Sequence, residues 1–343
     1  MSGVRNRGEH IRRFIVNNVE RHPRDIAQLA ASKFDITRQA VNKHLKRLVD
    51  EKALTRKGNT RNRTYSLHLV EESTKNYEIT STLQEDVIWR RDVAPSLEQL
   101  PNNVLDIWHY GFTEMLNNVI DHSDGRSVRV TLRRTATTTE LLLSDDGIGI
   151  FRKIQRALDL LDERHAILEL AKGKLTTDPA NHTGEGIFFT SRMFDDFDIL
   201  SGETFFAHRF GDPEDWILEA RFFSGTAVWM KLNNHTARTM KKIFDKFSSG
   251  GEYGFTKTVV PVRLAQYGND KLVSRSQAKR LLARVDKFKT VIFDFQDVET
   301  IGQAFADEMF RVFWSKHTEL EFVWIKANSS VKKMISRARS SAL

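Results

Sequence analysis

Three short clusters in the middle of the chain hold residue types that could do chemistry together. Glu114, Asn118 and Asp121 stand four and three residues apart, so a helix places them on one face. Carboxylate, amide and carboxylate on one face suit a hydrated Mg2+ and the handling of a water molecule. Asp145 ends an alternating apolar run and leads into Asp146-Gly147-Ile148-Gly149-Ile150, where glycines let backbone approach a ligand closely. Gly184 and Gly186, in Asn181-His182-Thr183-Gly184-Glu185-Gly186, stand just before an apolar helical stretch, Ile187 to Phe194. The first N–H groups of such a helix form a ready phosphate site. The polar segment from Ala171 to Pro179 has the composition of a cover over a bound ligand, and its Lys172 and Lys174 are either phosphate-neutralising groups or solvated ones. Taken singly, the clusters also fit an amphipathic helix or a tight turn; their order is what makes them specific.

The elements that must position them are legible as patterns. Leu100 to Ser123 reads as one long helix, opened by Pro101, with Leu105, Trp108, Phe112, Met115, Leu116 and Val119 as its apolar stripe. Ser127–Arg134 and Thr139–Leu143 alternate as paired strands, and Phe197–Leu200, Trp216–Phe223 and Thr226–Leu232 read as further strands. An α/β sandwich is expected. With its elements in this order, the stretch from about Trp89 to Leu232 resembles the GHKL (Bergerat-fold) ATPases, which include gyrase B, heat-shock chaperone ATPases, MutL, histidine kinases and anti-sigma-factor kinases. TEMLNNVIDHS resembles their N box, SDDGIGI the first glycine box and HTGEGI the second. The resemblance implies ATP and Mg2+ as cofactors. It implies Glu114 as general base, Asn118 as magnesium ligand and Asp145 as acceptor for the adenine amino group. Gly147 and Gly149 would pass close to the base, and Gly184 and Gly186 would shape the lid and the triphosphate site. Asp121 matches the gyrase side of the superfamily and His122 the anti-sigma kinases, so this helix leaves hydrolysis and phosphoryl transfer both open.

Charge is distributed unevenly. Of a formal net charge of +8, residues 1–70 carry +10, with sixteen Lys or Arg against six acids. A basic module beside a near-neutral body suits a polyanionic partner. Ile11, Phe14, Ile15 and Val19 set a first helix, Pro23 precedes a second with Ile26, Leu29 and Ala30, and Thr37 caps a third that runs to about Lys52. The outer face of the third holds Arg38, Gln39, Asn42, Lys43, Lys46 and Arg47, types that reach phosphates and base edges. A hairpin follows with Arg56, Lys57, Arg61 and Arg63 near its tip. Three helices and a basic hairpin resemble a winged helix-turn-helix, with ITRQAVNKHLKRLVDEKAL its most telling stretch. That resemblance implies double-stranded DNA as partner, a recognition helix and a wing.

After Ser248-Ser249-Gly250-Gly251, which has the composition of a boundary, strands and helices alternate through Lys257–Leu264, Arg275–Val285, Thr290–Phe295, Gln303–His317, Glu321–Lys326 and Ser330–Arg339. This is the pattern of a small α/β domain. VIFDFQDVETIGQAFADEMFRVF resembles STAS-like modules and anti-sigma-factor antagonists. The serine that antagonists phosphorylate is absent; Thr300 stands nearest and is expected as a helix cap, with Asp307 and Glu308 exposed. The expected role of this module is interaction, with a regulatory protein as partner, or intramolecular docking.

The expected architecture is multidomain α/β: a winged helix at 1–70, a connector at 71–93, a GHKL sandwich at 94–235, a linker at 236–252 and a STAS-like domain at 253–343. No cysteine is present, which excludes disulfides and thiolate catalysis. No apolar run reaches membrane-spanning length, and the basic N-terminus lacks an apolar leader core, so a cytoplasmic, non-membrane protein is expected. The fusion points to an ATP- and DNA-binding transcriptional regulator whose nucleotide state alters DNA or partner binding. The alternatives are an anti-sigma-factor-like serine/threonine kinase and the ATPase of a DNA-associated machine. Homodimerisation stays open.

Overall fold

Caps and apolar periodicity set the N-terminal elements of the computed structural model, which describes residues 2–59, 62–175, 184–211, 215–248, 255–266 and 271–340. Helices α1 (Ser2–Asn18), α2 (Ile26–Phe34) and α3 (Arg38–Asp50) are followed by β1 (Leu54–Lys57) and β2 (Thr64–Leu67). Thr37 caps α3, its Oγ1 accepting the Ala40 N–H at 3.2 Å. Asp35 ends α2 in the left-handed region, at φ 50°, a conformation its short polar side chain tolerates. The strands pair antiparallel, with Leu54 opposite Leu67. Leu54, Tyr65 and Leu67 join Ile15, Val19, Ile26, Ala30, Val41 and Leu45 in one buried core.

The chain divides into a first unit of residues 1–75, 131–141 and 231–236 and a second unit of the remainder. In the first unit the Lys231 ammonium lies 2.5 Å from Glu20 Oε2 and 3.0 Å from Glu140 Oε1. Burial works against that charge, but hydrogen bonds to the two carboxylates outweigh it and hold Lys231 above the ordinary lysine value.

The stretch expected as a connector is structured. It forms β3 (Leu69–Glu78), α4 (Glu85–Ile88), a π-helical stretch (Trp89–Val93) and α5 (Ala94–Leu97). Next come α6 (Asn102–His122), β4 (Ser127–Thr135), β5 (Thr138–Asp145), α7 (Ile150–Ala157), α8 (Glu163–Lys172), α9 (Gly186–Met193), β6 (Asp196–Arg209) and β7 (Asp215–Asn233). A five-stranded sheet runs in the order β3-β4-β5-β7-β6. β7 is one strand of 19 residues rather than the two expected.

Helix α6 buries Val104, Trp108, Phe112, Met115 and Val119. It crosses α9 at Gly111, where a Cβ would collide with the Phe194 ring. α10 (Met240–Phe247), capped by Thr239, occupies the stretch expected as a linker. Residues 249–251 of the expected boundary lie outside the described residues.

The C-terminal module has three parallel strands, β8 (Lys257–Pro261), β9 (Thr290–Asp294) and β10 (Glu321–Ile325), in the order β10-β9-β8. Its helices are α11 (Arg275–Leu282), α12 (Gln303–Asp307), α13 (Trp314–Lys316) and α14 (Ser329–Ser340), with π-helical Glu308–Phe313 joining α12 to α13. A reciprocal Ser274–Gln277 capping box opens α11. Gly302, not Thr300, stands at the start of α12. Glu308 is buried, and Asp307 pairs with Arg311 Nη2 at 2.6 Å, so neither is the free surface acid expected. Among the described residues no helix is long and apolar enough to cross a membrane.

The α6–α9 crossing yields a test. Gly111→Ala gains helix propensity worth up to about 1 kcal/mol, but its methyl collides with Phe194, and overpacking costs about 1–3 kcal/mol. The urea midpoint followed by tryptophan fluorescence is expected to fall.

Candidate functional site

Helix α6 forms one wall of a cavity of about 300 Å³. Glu114, Asn118 and His122 line it from three successive turns, and at 1.5 Å per residue the first and last are about 12 Å apart along the axis. The wall is therefore polar at both ends and at Asn118 midway, and Met115 of the same helix with Leu143, Ile154, Ile199 and Val228 of other elements gives the cavity its apolar surface. Asp121, equally placed by sequence spacing, is exposed and does not line the cavity.

At one end is Asp145, buried at 5% exposure on the last residue of β5. Its Oδ1 accepts the Gly147 N–H at 2.9 Å and the Thr226 N–H at 3.2 Å. Both bonds fall on one oxygen, so Oδ2 is the one left for a ligand in the cavity that Asp145 lines. Burial raises the carboxyl above its ordinary value, and the two backbone donors offset part of that. Bare backbone makes the arrangement possible. A Cβ on Gly147 would collide with Ser123 O, and one on Gly225 (φ 84°) with Asp145 O. Gly149, at φ 91°, lies where a Cβ would meet Ser201 Oγ at 2.5 Å. The adjacent Asp146 fixes the turn: its Oδ1 accepts the Arg126 and Ser127 N–H groups at 2.7 and 2.9 Å. Those hydrogen bonds, the one from the Ser127 N–H foremost, hold its carboxyl below the ordinary value.

At the other end the Glu114 carboxylate packs against Gly186, where a Cβ would collide with Oε2. Gly186 is the first residue of α9, so the helix N-terminus faces the same end as Glu114. Gly184 (φ 71°) lies against the Leu175 backbone, and its carbonyl accepts the Leu175 N–H at 2.9 Å. All of the expected nucleotide-site residues except Gly147 and Gly149 line the cavity directly; those two shape its Asp145 end.

The lysine expectation is corrected. Neither Lys172 nor Lys174 lines the cavity. Lys172 is 1% exposed and bonded to Glu169 at 2.7 Å, while the Lys174 ammonium donates to Lys287 O at 2.9 Å. The lysine that does line the cavity, among the described residues, is Lys153 of α7, which donates to His122 O at 2.7 Å and Asp124 Oδ2 at 3.0 Å. Sequence reasoning also misses Thr226 and Gly225. Their signal is the Ser224-Gly225 break between two strand patterns, since a glycine inside a strand marks close backbone approach.

Two segments of the chain match known families. Residues 79–204 match the histidine kinase-like ATPase domain. Most of the cavity's lining falls within that ATPase-domain match. Residues 277–332 match the STAS-like domain of unknown function (DUF4325). No curated protein matches the chain. The ATPase match contains Glu114, Asn118, Asp145 and the four expected glycines, and ends before Gly225 and Thr226. An ATPase domain binds nucleotide, commonly with Mg2+. The Asn118 amide oxygen fits that ion: a single neutral oxygen ligand suits a cation that keeps waters and takes its other ligands from phosphate.

Neither match reaches residues 1–78. There, Arg38, Gln39, Asn42, Lys43 and Lys46 are exposed on one face of α3, with Arg56 and Lys57 exposed on β1. Arg47 is exposed but pairs with Glu51 at 2.6 Å. Arg63 is half-buried, so it is not the free tip residue expected, and Arg61 lies outside the described residues.

The backbone approach at Gly225 is testable. In Gly225→Ala the methyl must push β7 from Asp145 and loosen the Thr226 bond. A lost hydrogen bond to a charged group is worth about 1.5–3 kcal/mol, so ATP affinity in titration calorimetry is expected to drop on the order of tenfold or more.

Proposed function

We propose that this protein is an ATP-binding, DNA-binding regulator in which nucleotide binding or slow hydrolysis modulates its hold on DNA or on a partner. The observation that carries the nucleotide half is the two-ended cavity. Asp145 Oδ2 suits the adenine amino group, while the N-terminus of α9 beside Glu114, about 12 Å from the His122 turn along the helix wall, suits the phosphates, and Asn118, about 6 Å from that turn, would hold Mg2+ between the two ends. Glu114 at the phosphate end serves as general base, orienting or deprotonating the attacking group. Mg2+ held by Asn118 would supply charge neutralisation, and the chain's own work is positioning, because phosphoryl transfer needs in-line geometry more than covalent help.

The DNA half is supported by the exposed basic face of α3 and the +10 charge of residues 1–70. Read as a winged helix-turn-helix, α3 enters the major groove and the β1–β2 hairpin lies along the backbone. Arg38, Gln39 and Asn42 stand at the end of α3 from which base edges are reached, and Lys43, Lys46, Arg56 and Lys57 suit phosphates.

A second reading, protein phosphorylation, has one observation in its favour. His122 lines the cavity and Asp121 does not, which leaves the Glu-x-x-x-Asn-x-x-x-His spacing of the anti-sigma kinases as the set that faces a ligand. γ-Labelled ATP separates the readings: label on a protein indicates transfer, and free phosphate alone indicates hydrolysis.

Three outcomes are expected. Glu114→Ala lowers turnover about 10²–10⁴-fold with ATP affinity little changed, measured by phosphate release and calorimetry. Lys43→Ala with Lys46→Ala weakens binding to duplex DNA uniformly across sequences. It also flattens the plot of log affinity against log salt by about 0.9 for each phosphate no longer neutralised, measured by fluorescence anisotropy. DNA affinity differs between the nucleotide-free, ADP-bound and ATP-analogue-bound chain; equal affinity in all three would refute the regulatory coupling.

A further inference from the structure

Part of the cavity wall is built by a segment that the C-terminal module also holds. Leu170 and Leu175 line the cavity. Between them the chain turns its polar groups the other way. The Lys172 ammonium donates to Glu169 Oε1 at 2.7 Å, Arg280 O at 2.9 Å and Ala283 O at 2.8 Å. Its three donors are therefore all used. Arg280 O belongs to the last turn of α11, where it also accepts the Ala283 N–H at 3.4 Å, and Ala283 O follows it, at a helix end that carries negative partial charge. The second Glu169 oxygen accepts Arg284 Nη1 at 2.8 Å, and Arg284 also donates to Lys174 O.

Three more contacts fix the same segment. Thr258 Oγ1, from β8, donates to Lys172 O at 2.6 Å. Gly173, at φ 83°, lies against Phe255, whose ring would stand 2.5 Å from a Cβ there. The Lys174 ammonium stands 4.8 Å from the Phe288 ring centre. Burial pulls Lys172 down to about 8, with Glu169 restoring part of its basicity. An ammonium held this way has a large penalty for losing any of its partners.

We propose that the STAS-like module sets the affinity of the cavity for its nucleotide by clamping residues 169–175 through Lys172 and Arg284. The inference rests on the nucleotide reading of the cavity. Lys172 and Arg284 are positioning residues: neither touches the cavity, and both act through Leu170 and Leu175. The clamped state is the one in which that wall is in place, so it binds nucleotide more tightly. By linkage, nucleotide must tighten the clamp by the same factor. Any partner that engages the C-terminal module at the end of α11 would then change nucleotide affinity from outside the ATPase domain.

The test uses the full chain. ATP affinity is measured by calorimetry for wild type, Arg284→Ala, Arg284→Lys and Lys172→Met, with Lys332→Ala, an exposed residue of α14, as control. Arg284→Ala is expected to weaken ATP binding at least about fivefold, the lower end of ordinary coupling between sites, with Arg284→Lys intermediate and Lys332→Ala unchanged. Hydrogen exchange supplies a readout that simple destabilisation would not move. Saturating ATP should slow exchange of the amides of residues 280–288 in wild type and not in Arg284→Ala. If Lys172→Met does not fold, Arg284→Ala carries the test alone. Wild-type affinity in Arg284→Ala, together with no ATP effect on exchange at 280–288, would overturn the clamp while leaving the nucleotide site standing. Failure of the wild-type chain to bind ATP would overturn both.

Discussion

One carboxylate oxygen holds the cavity together. Asp145 Oδ1 takes the backbone N–H groups of Gly147 and Thr226, and so joins the end of β5 to the turn before α7 and to the middle of β7. A buried carboxylate is tolerated because its charge is met by donors that cannot move. Those donors come close enough only because Gly147 and Gly225 carry no side chain. Asp146 completes the bracing from the other side by taking the N–H groups that open β4. Remove the two glycines and the sheet, the turn and the end of α6 can no longer meet at one point.

That junction also explains why so much of the candidate site is readable from residue types. Glu114, Asn118 and Asp145 line one cavity because helix spacing and a strand end, both local signals, set their positions, and that pattern survives translation into three dimensions. The elements that escape reading do so for physical reasons. β3 has both faces largely exposed, so it lacks the alternation that betrays a strand. It is held by cross-strand pairs instead, such as Arg133 with Glu72 and Arg129 with Asn76. β7 reads as two strands because Ser224-Gly225 interrupts its pattern, and the interruption is itself part of the site.

Lys172 misleads for a different reason. A lysine beside glycines in a polar stretch has the look of a phosphate ligand. What decides its role is a set of carbonyls more than a hundred positions further along the chain, and no local pattern can report them. The N-terminal region is the reverse case. Its helices, cap and charge follow from local signals, while Arg63 departs from expectation because the packing of the hairpin half-buries it.

The distance in sequence between the clamp and its partners has a consequence for how the protein is made. Glu169 and Arg284 are separated by 115 positions, and Lys172 and Ala283 by 111. A chain emerging from the ribosome at about 5–20 residues per second exposes α8 several seconds before the carbonyls that accept its ammonium exist. Late in that interval, once β7 has followed, the Asp145 junction can form while residues 169–175 still lack their partners in the C-terminal module. Biosynthesis thus runs through a stage in which every residue lining the cavity is present but residues 169–175 are not yet held, and the last third of the chain is what holds them.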